Sequence, residues 1–268
     1  MHIVAVQLEI AWENKLRNRQ AVEQLLDQAS VEPDSLIVLP EMFETGFSMD
    51  LSATAQSEQR ESEQFVRDVA RRHRSAVLAG VVSPAVEVEA RVGKPAIKTA
   101  SNEAVVVSPD GDILARYQKM QPFTLTGEDR HYPAGSKPCV FQWQGTSIAP
   151  FVCYDLRFPE LFRAALDDGA EMFVVIACWP AVRSEHWVRL LQARAIENLA
   201  LVVGVNRCGS EPNLQFDGRS SAFDHLGKCL FEADGSEQVL TTRLDVAAMR
   251  KWREKFPALR DRRSPQPV

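Results

Sequence analysis

Near the N-terminus, two continuous apolar runs flank an amphipathic segment. The runs cover residues 3–8 and 36–39. Between them, apolar side chains recur at helical spacing after Asn14, which can cap a helix N-terminus. These side chains belong to Leu16, Val22, Leu25, Leu26 and Ala29. Strands of continuous hydrophobicity are covered on both faces, so the pattern predicts a β–α–β unit inside an α/β fold.

A second amphipathic helix, a third strand and two hairpins follow. Apolar positions at Phe65, Val66, Val69 and Ala70 predict the helix, and residues 76–82 predict the strand. The first hairpin covers residues 103–117 with a tight turn at Asp110-Gly111. The second covers residues 139–152 and turns at Gln144-Gly145.

The C-terminal half continues with alternating strands and helices. Residues 172–177 and 201–205 predict buried strands, and residues 184–199 predict a long helix between them. The apolar side of that helix contains Trp187, Leu190, Leu191 and Ile196. A final meander is predicted over residues 221–242, with turns at Leu226-Gly227 and Asp234-Gly235.

The organisation of these elements favours a single-domain α/β sandwich over an open parallel sheet, because hairpins are mixed with the alternating units. No internal linker rich in Pro, Gly or Ser interrupts the chain, and no repeat of fixed period is present. We therefore expect one domain over residues 1–260 and a loosely ordered tail over residues 261–268.

Composition and charge narrow the class of protein. The chain has 268 residues and a net charge of −5, which offers no general attraction for nucleic acid or an anionic membrane. The first residues lack the order of a signal peptide, and no apolar run approaches the ~20 residues that span a bilayer. Five scattered cysteines without a Cys-x-x-Cys pair indicate neither a disulfide framework nor a metal site. These features predict a cytoplasmic protein that needs no cofactor.

Three chemically complementary residues each follow an apolar strand directly. Glu41 follows residues 36–40, Lys119 follows residues 113–118, and Cys153 follows residues 148–152. Strand ends present side chains to ligand crevices in α/β folds.

Together these three residues suit acyl transfer. Glu41 could take the thiol proton of Cys153, and Lys119 could favour the thiolate and stabilise a tetrahedral oxyanion. The backbone N–H of Tyr154 is the natural second oxyanion donor.

Each of these residues also has a structural interpretation. A lone cysteine at a strand end is commonly part of the core, Glu41 could cap a helix or pair with an arginine, and Lys119 could be a surface charge. His131, His186 and His225 allow a cysteine–histidine alternative, although none lies in the local sequence of papain-like hydrolases. The other thiols, of Cys178, Cys208 and Cys229, are interpreted as ordinary buried groups, and Arg194 with Glu197 as a structural pair on one helix.

The local sequences around the three residues resemble the Glu, Lys and Cys boxes of the nitrilase, or carbon–nitrogen hydrolase, superfamily. They are Leu39-Pro40-Glu41, Tyr117-Gln118-Lys119 and Cys153-Tyr154-Asp155-Leu156-Arg157-Phe158-Pro159-Glu160. The resemblance continues through Trp179-Pro180, Arg183, His186-Trp187, residues 193–198 and Val205-Asn206-Arg207. Within the superfamily the chain looks most like the omega-amidase branch.

This resemblance implies a four-layer αββα sandwich, pairing into a homodimer, and a reaction through a cysteine thioester. It also implies that Glu128 matches a second, supporting glutamate, which beside Lys119 would keep the ammonium charged. The substrate would be a small-molecule amide, namely a monoamide of a short dicarboxylate such as 2-oxoglutaramate or succinamate.

The residues proposed to bind that substrate are less strongly marked. Arg157 could recognise a carboxylate through its planar fork, or could pair with Glu160 in the same loop. Trp179, Phe43 and Phe123 could form walls of the pocket, although aromatic residues near strand ends also belong to cores.

Two departures from the superfamily's pattern bear on the substrate. A His-Leu-Phe run after the lysine is replaced by Met120-Gln121-Pro122-Phe123, and Cys178 stands before Trp179 in place of Asn. They leave open a nitrile, an N-carbamoyl compound or another amide as substrate, and also a catalytically degenerate binding subunit.

Overall fold

The computed structural model describes residues 1–88 and 97–263. Its strands, in chain order, are β1 (His2–Gln7), β2 (Leu36–Val38), β3 (Ala76–Val82), β4 (Val86–Val88), β5 (Ile97–Thr99), β6 (Asn102–Val107), β7 (Ile113–Gln118), β8 (Phe141–Trp143), β9 (Thr146–Val152), β10 (Met172–Ala177), β11 (Leu201–Asn206), β12 (Cys208–Glu211), β13 (Leu214–Asp217), β14 (Ser221–Phe223), β15 (Cys229–Glu232) and β16 (Gln238–Arg243). Its α-helices are α1 (Lys15–Gln28), α2 (Leu51–Thr54), α3 (Glu61–His73), α4 (Pro159–Asp167), α5 (Ser184–Asn198) and α6 (Val246–Lys255). Short 3-10 turns cover Thr124–Thr126, Glu128–Arg130, Cys153–Arg157, Ala181–Arg183 and Ala258–Asp261.

Two six-stranded mixed sheets form the centre of the molecule. The first has the strand order β16-β1-β2-β3-β6-β7, and the second has the order β15-β14-β11-β10-β9-β8. Strands β1, β2 and β3 are parallel, as are β9, β10 and β11, and the outer strands of both sheets are antiparallel. The carboxyl ends of the parallel strands therefore lie at the same edge of each sheet, and the site is built there.

Alternating side chains of each central strand pack into different layers. In β1, Ile3 and Ala5 join the core between the two sheets, whereas Val4 and Val6 pack outward against α1 and α3. Helices α4 and α5 cover the outer face of the second sheet. The result is the four-layer αββα sandwich, and burial on both faces explains the continuous hydrophobicity of the strands.

Helix α1 begins where the sequence predicts but buries a different set of side chains. The Asn14 side chain accepts from the Arg17 N–H and caps the helix. Leu16, predicted on the apolar side, is 68% exposed. The inward position at this end is taken by Asn18, whose amide binds backbone groups of Ala11 and Glu44. A polar anchor thus replaces an apolar one.

Two further predictions differ from the structure. Ile196 of α5 is 49% exposed, because the helix presents Trp187, Leu191 and Ala195 to the sheet instead. The predicted meander is wrong in its last strand, since β16 leaves the second sheet and pairs with β1 in the first. The small ribbons β4–β5 and β12–β13 were not expected. Of the predicted tail, residues 264–268 lie outside the described residues.

Among the helices of residues 1–88 and 97–263, none combines the length and the apolar character that crossing a bilayer requires.

Candidate active site

The side chains of Glu41, Lys119 and Glu128 meet in one buried cluster. The Lys119 ammonium lies 2.9 Å from Glu41 Oε1 and 2.9 Å from Glu128 Oε2. All three side chains are at most 2% exposed. Burial alone would lower the pKa of Lys119, but the charges of Glu41 and Glu128 outweigh it and raise this pKa well above its ordinary value. The lysine is therefore a permanent cation.

The backbone around Glu41 can enter this cluster because the neighbouring strand contains a glycine. A Cβ atom at Gly80 of β3 would lie 2.5 Å from the Glu41 Cα atom, which no side chain tolerates. The Glu41 carboxylate then links the first sheet to the second, because its Oε2 accepts a hydrogen bond of 2.8 Å from the backbone N–H of Cys178, at the end of β10. This bond fixes the direction of the carboxylate.

Asn102 is a fourth member of the cluster, and no sequence motif singled it out. Its amide nitrogen donates to Glu41 Oε1 over 2.7 Å and to Glu128 Oε1 over 3.0 Å. It is the first residue of β6, and its carbonyl accepts from the Lys119 N–H over 2.9 Å. Polar residues at the start of an apolar strand are common, so only the tertiary structure identifies it.

Cys153 opens a sharp turn at the end of β9. Its φ angle of +50° lies in the left-handed region, and the 3-10 turn Cys153–Arg157 begins with it. Burial raises the pKa of the thiol well above its ordinary value, the charge of Glu41 raises it further, and Lys119 opposes both. The resting sulfur is therefore protonated at neutral pH and needs a base to become a nucleophile.

Asp155 holds this turn against the end of β7. Its carboxylate accepts from the Val152 N–H over 2.9 Å, from the Gln121 N–H over 2.8 Å and from the Tyr117 hydroxyl over 2.8 Å. Burial raises the pKa of Asp155 to about 7, against the effect of the Val152 N–H. One side chain thereby links the segment that contains Cys153 to the segment that contains Lys119.

A cavity of about 410 Å³, including its open mouth, leads from the surface to Cys153. Tyr154, Phe123 and Trp179 form apolar walls. Phe47, which was not predicted, forms another wall and lies with its ring 5.0 Å from the Lys119 ammonium. The volume suits a small ligand rather than a polymer.

Phe43 does not line this cavity, and its prediction as a wall is corrected. Its ring is fully buried beneath α3 and stacks on Phe65 with centroids 5.9 Å apart. The intervening residue, Met42, has a φ angle of +44°, so the chain reverses directly after Glu41. That turn sends Phe43 into the core and brings Phe47 to the cavity.

Two arginines stand on the cavity lining. Arg157 does not pair with Glu160; it donates to His186 Nδ1 over 3.1 Å and stacks 4.8 Å from the Trp179 ring. Arg183, which the motif included without a role, lies over the Phe123 ring at 5.3 Å. In the described part of the chain neither guanidinium has a carboxylate within 4.0 Å. Burial, and then Arg183, lower the pKa of Arg157, so the two cations are close enough to repel.

The remaining sequence candidates divide between this region and the rest of the molecule. Cys178 lines the same cavity and is buried, as is Cys208. Cys229 is exposed rather than buried, because β15 is the edge strand of its sheet. Arg194 and Glu197 form the expected pair at 2.8 Å. His225 packs near Trp252 and His131 near Tyr132, and neither lines the cavity.

The αββα sandwich, with a cysteine, a lysine and glutamates at the ends of its strands, defines a class of hydrolase, and sequence comparison agrees with it. Residues 3–254 match the Carbon-nitrogen hydrolase family. The chain belongs to this family and is a hydrolase of carbon–nitrogen bonds other than peptide bonds.

Particular relatives cover nearly the whole chain. Omega-amidase YafV of Yersinia enterocolitica is 36% identical over 97% of this chain and 96% of its own. The 2-oxoglutaramate amidase of Bacillus subtilis is 30% identical over 97% and 96% of the two chains. The structure of XC1258 from Xanthomonas campestris, a CN-hydrolase superfamily protein with an arsenic adduct in its active site, has a TM-score of 0.87 at 32% identity. It covers 100% of this chain and 99% of its own.

Proposed function

We propose that the enzyme hydrolyses the ω-amide of a short dicarboxylate, such as 2-oxoglutaramate or succinamate, to the acid and ammonia through a thioester on Cys153. The observation that carries this proposal is a small cavity lined by the thiol of Cys153 and by Arg157 and Arg183, neither of which has a carboxylate partner among the described residues. The buried ion pair of Glu41 and Lys119 supplies the carboxylate and the ammonium that the chemistry needs. The names of the relatives support the same class of substrate.

The first half of the reaction forms the thioester. Glu41 takes the proton from Cys153, and the sulfur attacks the amide carbon to give a tetrahedral oxyanion. The Tyr154 N–H and the charge of Lys119 stabilise this oxyanion. Glu41 then delivers the proton to the amide nitrogen, the C–N bond breaks, and ammonia leaves.

The second half of the reaction releases the acid. Glu41, again a carboxylate, removes a proton from a water molecule, and the resulting hydroxide attacks the thioester carbon. Collapse of the second tetrahedral intermediate breaks the C–S bond and returns the proton to the sulfur. Glu128 acts throughout by holding the ammonium of Lys119 in place, at 2.9–3.0 Å.

Arg157 and Arg183 are proposed to bind the carboxylate at the other end of the substrate. The guanidinium cations of Arg157 and Arg183 repel each other at one cavity wall, and an anion between them relieves that repulsion. The planar guanidinium of Arg157 is held by Trp179 and His186, so its donors are already oriented.

The proposed function is tested by measuring kcat/KM for a set of substrates: succinamate, 2-oxoglutaramate, neutral short amides, nitriles and N-carbamoyl compounds. We expect the ω-monoamides to be preferred. A clear preference for a nitrile or an N-carbamoyl compound would overturn the choice of substrate and leave the catalytic cluster in place. The cytoplasmic location and the homodimer predicted from the sequence belong to the same proposal, and light scattering after gel filtration tests the dimer.

Arg157→Gln is expected to lower kcat/KM for succinamate by ~10–100-fold, mainly through KM, because a charge-assisted hydrogen bond is worth about 1.5–3 kcal/mol. Turnover of a neutral amide such as butyramide should change little. Arg189→Gln is the matched control, since Arg189 is an exposed arginine on α5. An equal loss on charged and neutral amides would contradict the carboxylate role.

Glu41→Gln should separate the reactivity of the thiol from catalysis. The charge of Glu41 is second only to burial in raising the pKa of Cys153, so removing it lowers this pKa. We expect iodoacetamide to label Cys153 at neutral pH at least as fast as in the parent protein, while amide hydrolysis falls by ~10²–10⁴-fold. Glu160→Gln, at an exposed position of α4, serves as the control. Unchanged hydrolysis in Glu41→Gln would refute the role of this base.

A further inference from the structure

Asn102 is buried between the two glutamates, and its main chain pairs with Lys119. It is 1% exposed, and its side-chain nitrogen donates one hydrogen bond to each carboxylate. Because β6 and β7 are antiparallel neighbours with Glu103 opposite Gln118, Asn102 stands opposite Lys119 at the next position. Opposite residues on one sheet face have side chains about 5 Å apart, so both can reach the same anions.

The charges in the cluster explain why a neutral donor is needed at this place. Two buried carboxylates face one ammonium, which leaves an excess of one negative charge. A second cation would balance that charge but would also compete for Glu41 and stabilise a permanent thiolate. An amide supplies two N–H donors without adding charge.

The donors divide unequally between the two oxygens of Glu41. Within residues 1–88 and 97–263, Oε1 accepts from both Lys119 and Asn102, whereas Oε2 accepts from the Cys178 N–H. An oxygen with two strong donors is a poor proton acceptor, so the bonds to Oε1 leave Oε2 as the basic atom.

We propose that Asn102 is a positioning residue that holds the Glu41 carboxylate so that its Oε2 atom faces the proton of Cys153. This inference rests on the proposed function, because it assigns Asn102 a part in the same cluster. The other charged or titratable groups around Glu41 are Lys119, Glu128, Cys153 and Cys178, together with Glu211, which Arg207 neutralises at 2.9 Å.

The test is the pH profile of two variants. Asn102→Asp keeps the shape of the side chain but removes both donors and adds a third acid, and Asn102→Ser leaves one short donor. Loss of a donor favours the protonated carboxyl, so the acid limb of kcat/KM should move to higher pH by about 1–2 pH units in the Asp variant. A smaller shift in the same direction is expected for the Ser variant, which decides the question if Asn102→Asp does not fold.

Asn198→Asp is the matched control, because Asn198 is also a fully buried asparagine, which donates to the Arg194 carbonyl on α5. It should lower thermal stability and leave the acid limb in place. If the role of Asn102 is merely structural, all three variants should lose thermal stability and leave the acid limb of kcat/KM in place. An unshifted acid limb in both Asn102 variants, at measurable activity, would overturn the inference.

The assay uses p-nitrophenyl acetate as well as succinamate, so that failure of the proposed function can be distinguished from failure of the role of Asn102. If succinamate is not a substrate but the ester is hydrolysed in a Cys153-dependent way, the acid limb of the ester reaction still tests Asn102. If the ω-amide is hydrolysed and the limb does not move, only the role of Asn102 fails. If Cys153 supports neither reaction, the proposed function and this inference both fail.

Discussion

Cys153→Ala is expected to abolish amide hydrolysis, with a loss of at least ~10⁴-fold in kcat, because it removes the sulfur that forms the thioester. The other thiol on the cavity lining, Cys178, is buried and donates to the Glu41 carbonyl. Alanine adds no new strain at the φ angle of +50°, since the parent cysteine already adopts it. The variant should therefore fold and unfold like the parent protein. Ammonia release in a coupled assay measures the activity, and thermal unfolding checks the fold.

Mass spectrometry tests the same prediction independently by detecting the acyl adduct on Cys153. The parent protein, stopped with acid during turnover, should contain a fraction increased in mass by the acyl group of the substrate, and Cys153→Ala should not. Cys229→Ala, an exposed cysteine on β15, is the control and should retain both turnover and the adduct. Retained turnover in Cys153→Ala would refute the nucleophile and with it the thioester route.

Much of the fold follows from local signals in the sequence. Strands β3 and β10 have the predicted bounds, and the cap of α1 is the predicted Asn14. These elements are predictable because continuous apolar runs and capping residues act within one segment. The error in β16 has the opposite cause. Its partly exposed residues give no strong pattern, and its partner β1 lies more than two hundred residues away in sequence.

The site shows the same division. Glu41, Lys119 and Cys153 each follow an apolar strand in a recognisable local sequence, so they could be predicted as site residues from the sequence. In the structure the Lys119 ammonium lies 2.9 Å from Glu41 Oε1. Asn102 and Phe47 have no such signal. The first is recognised only through its bonds to two carboxylates, and the second reaches the cavity only because the chain reverses at Met42.

Lys119→Met is expected to destabilise the fold by about 3–5 kcal/mol, because it leaves two buried carboxylates without their cation. The pKa of Lys119 is raised in the folded protein, so its contribution is complete below pH 10.5, the ordinary value, and is lost only as the pH rises through the raised pKa. The parent protein should thus show no Lys119 transition near neutrality. Chemical unfolding at pH 8 measures the loss, and Lys228→Met, at an exposed lysine, should change stability by less than about 0.5 kcal/mol.

The origin of this loss can be separated by a second substitution and by pH. If repulsion between Glu41 and Glu128 dominates, adding Glu128→Gln to Lys119→Met should recover roughly half of the lost stability, because the two sites share one network. Lowering the pH from 8 to 5 should also reduce the deficit, since a proton on either carboxyl removes the repulsion. Activity should not return in the double variant, because the cation that stabilises the oxyanion is still absent. A deficit that neither Glu128→Gln nor acid reduces would show that Lys119 acts through packing rather than charge, and the electrostatic account of the cluster would then fail.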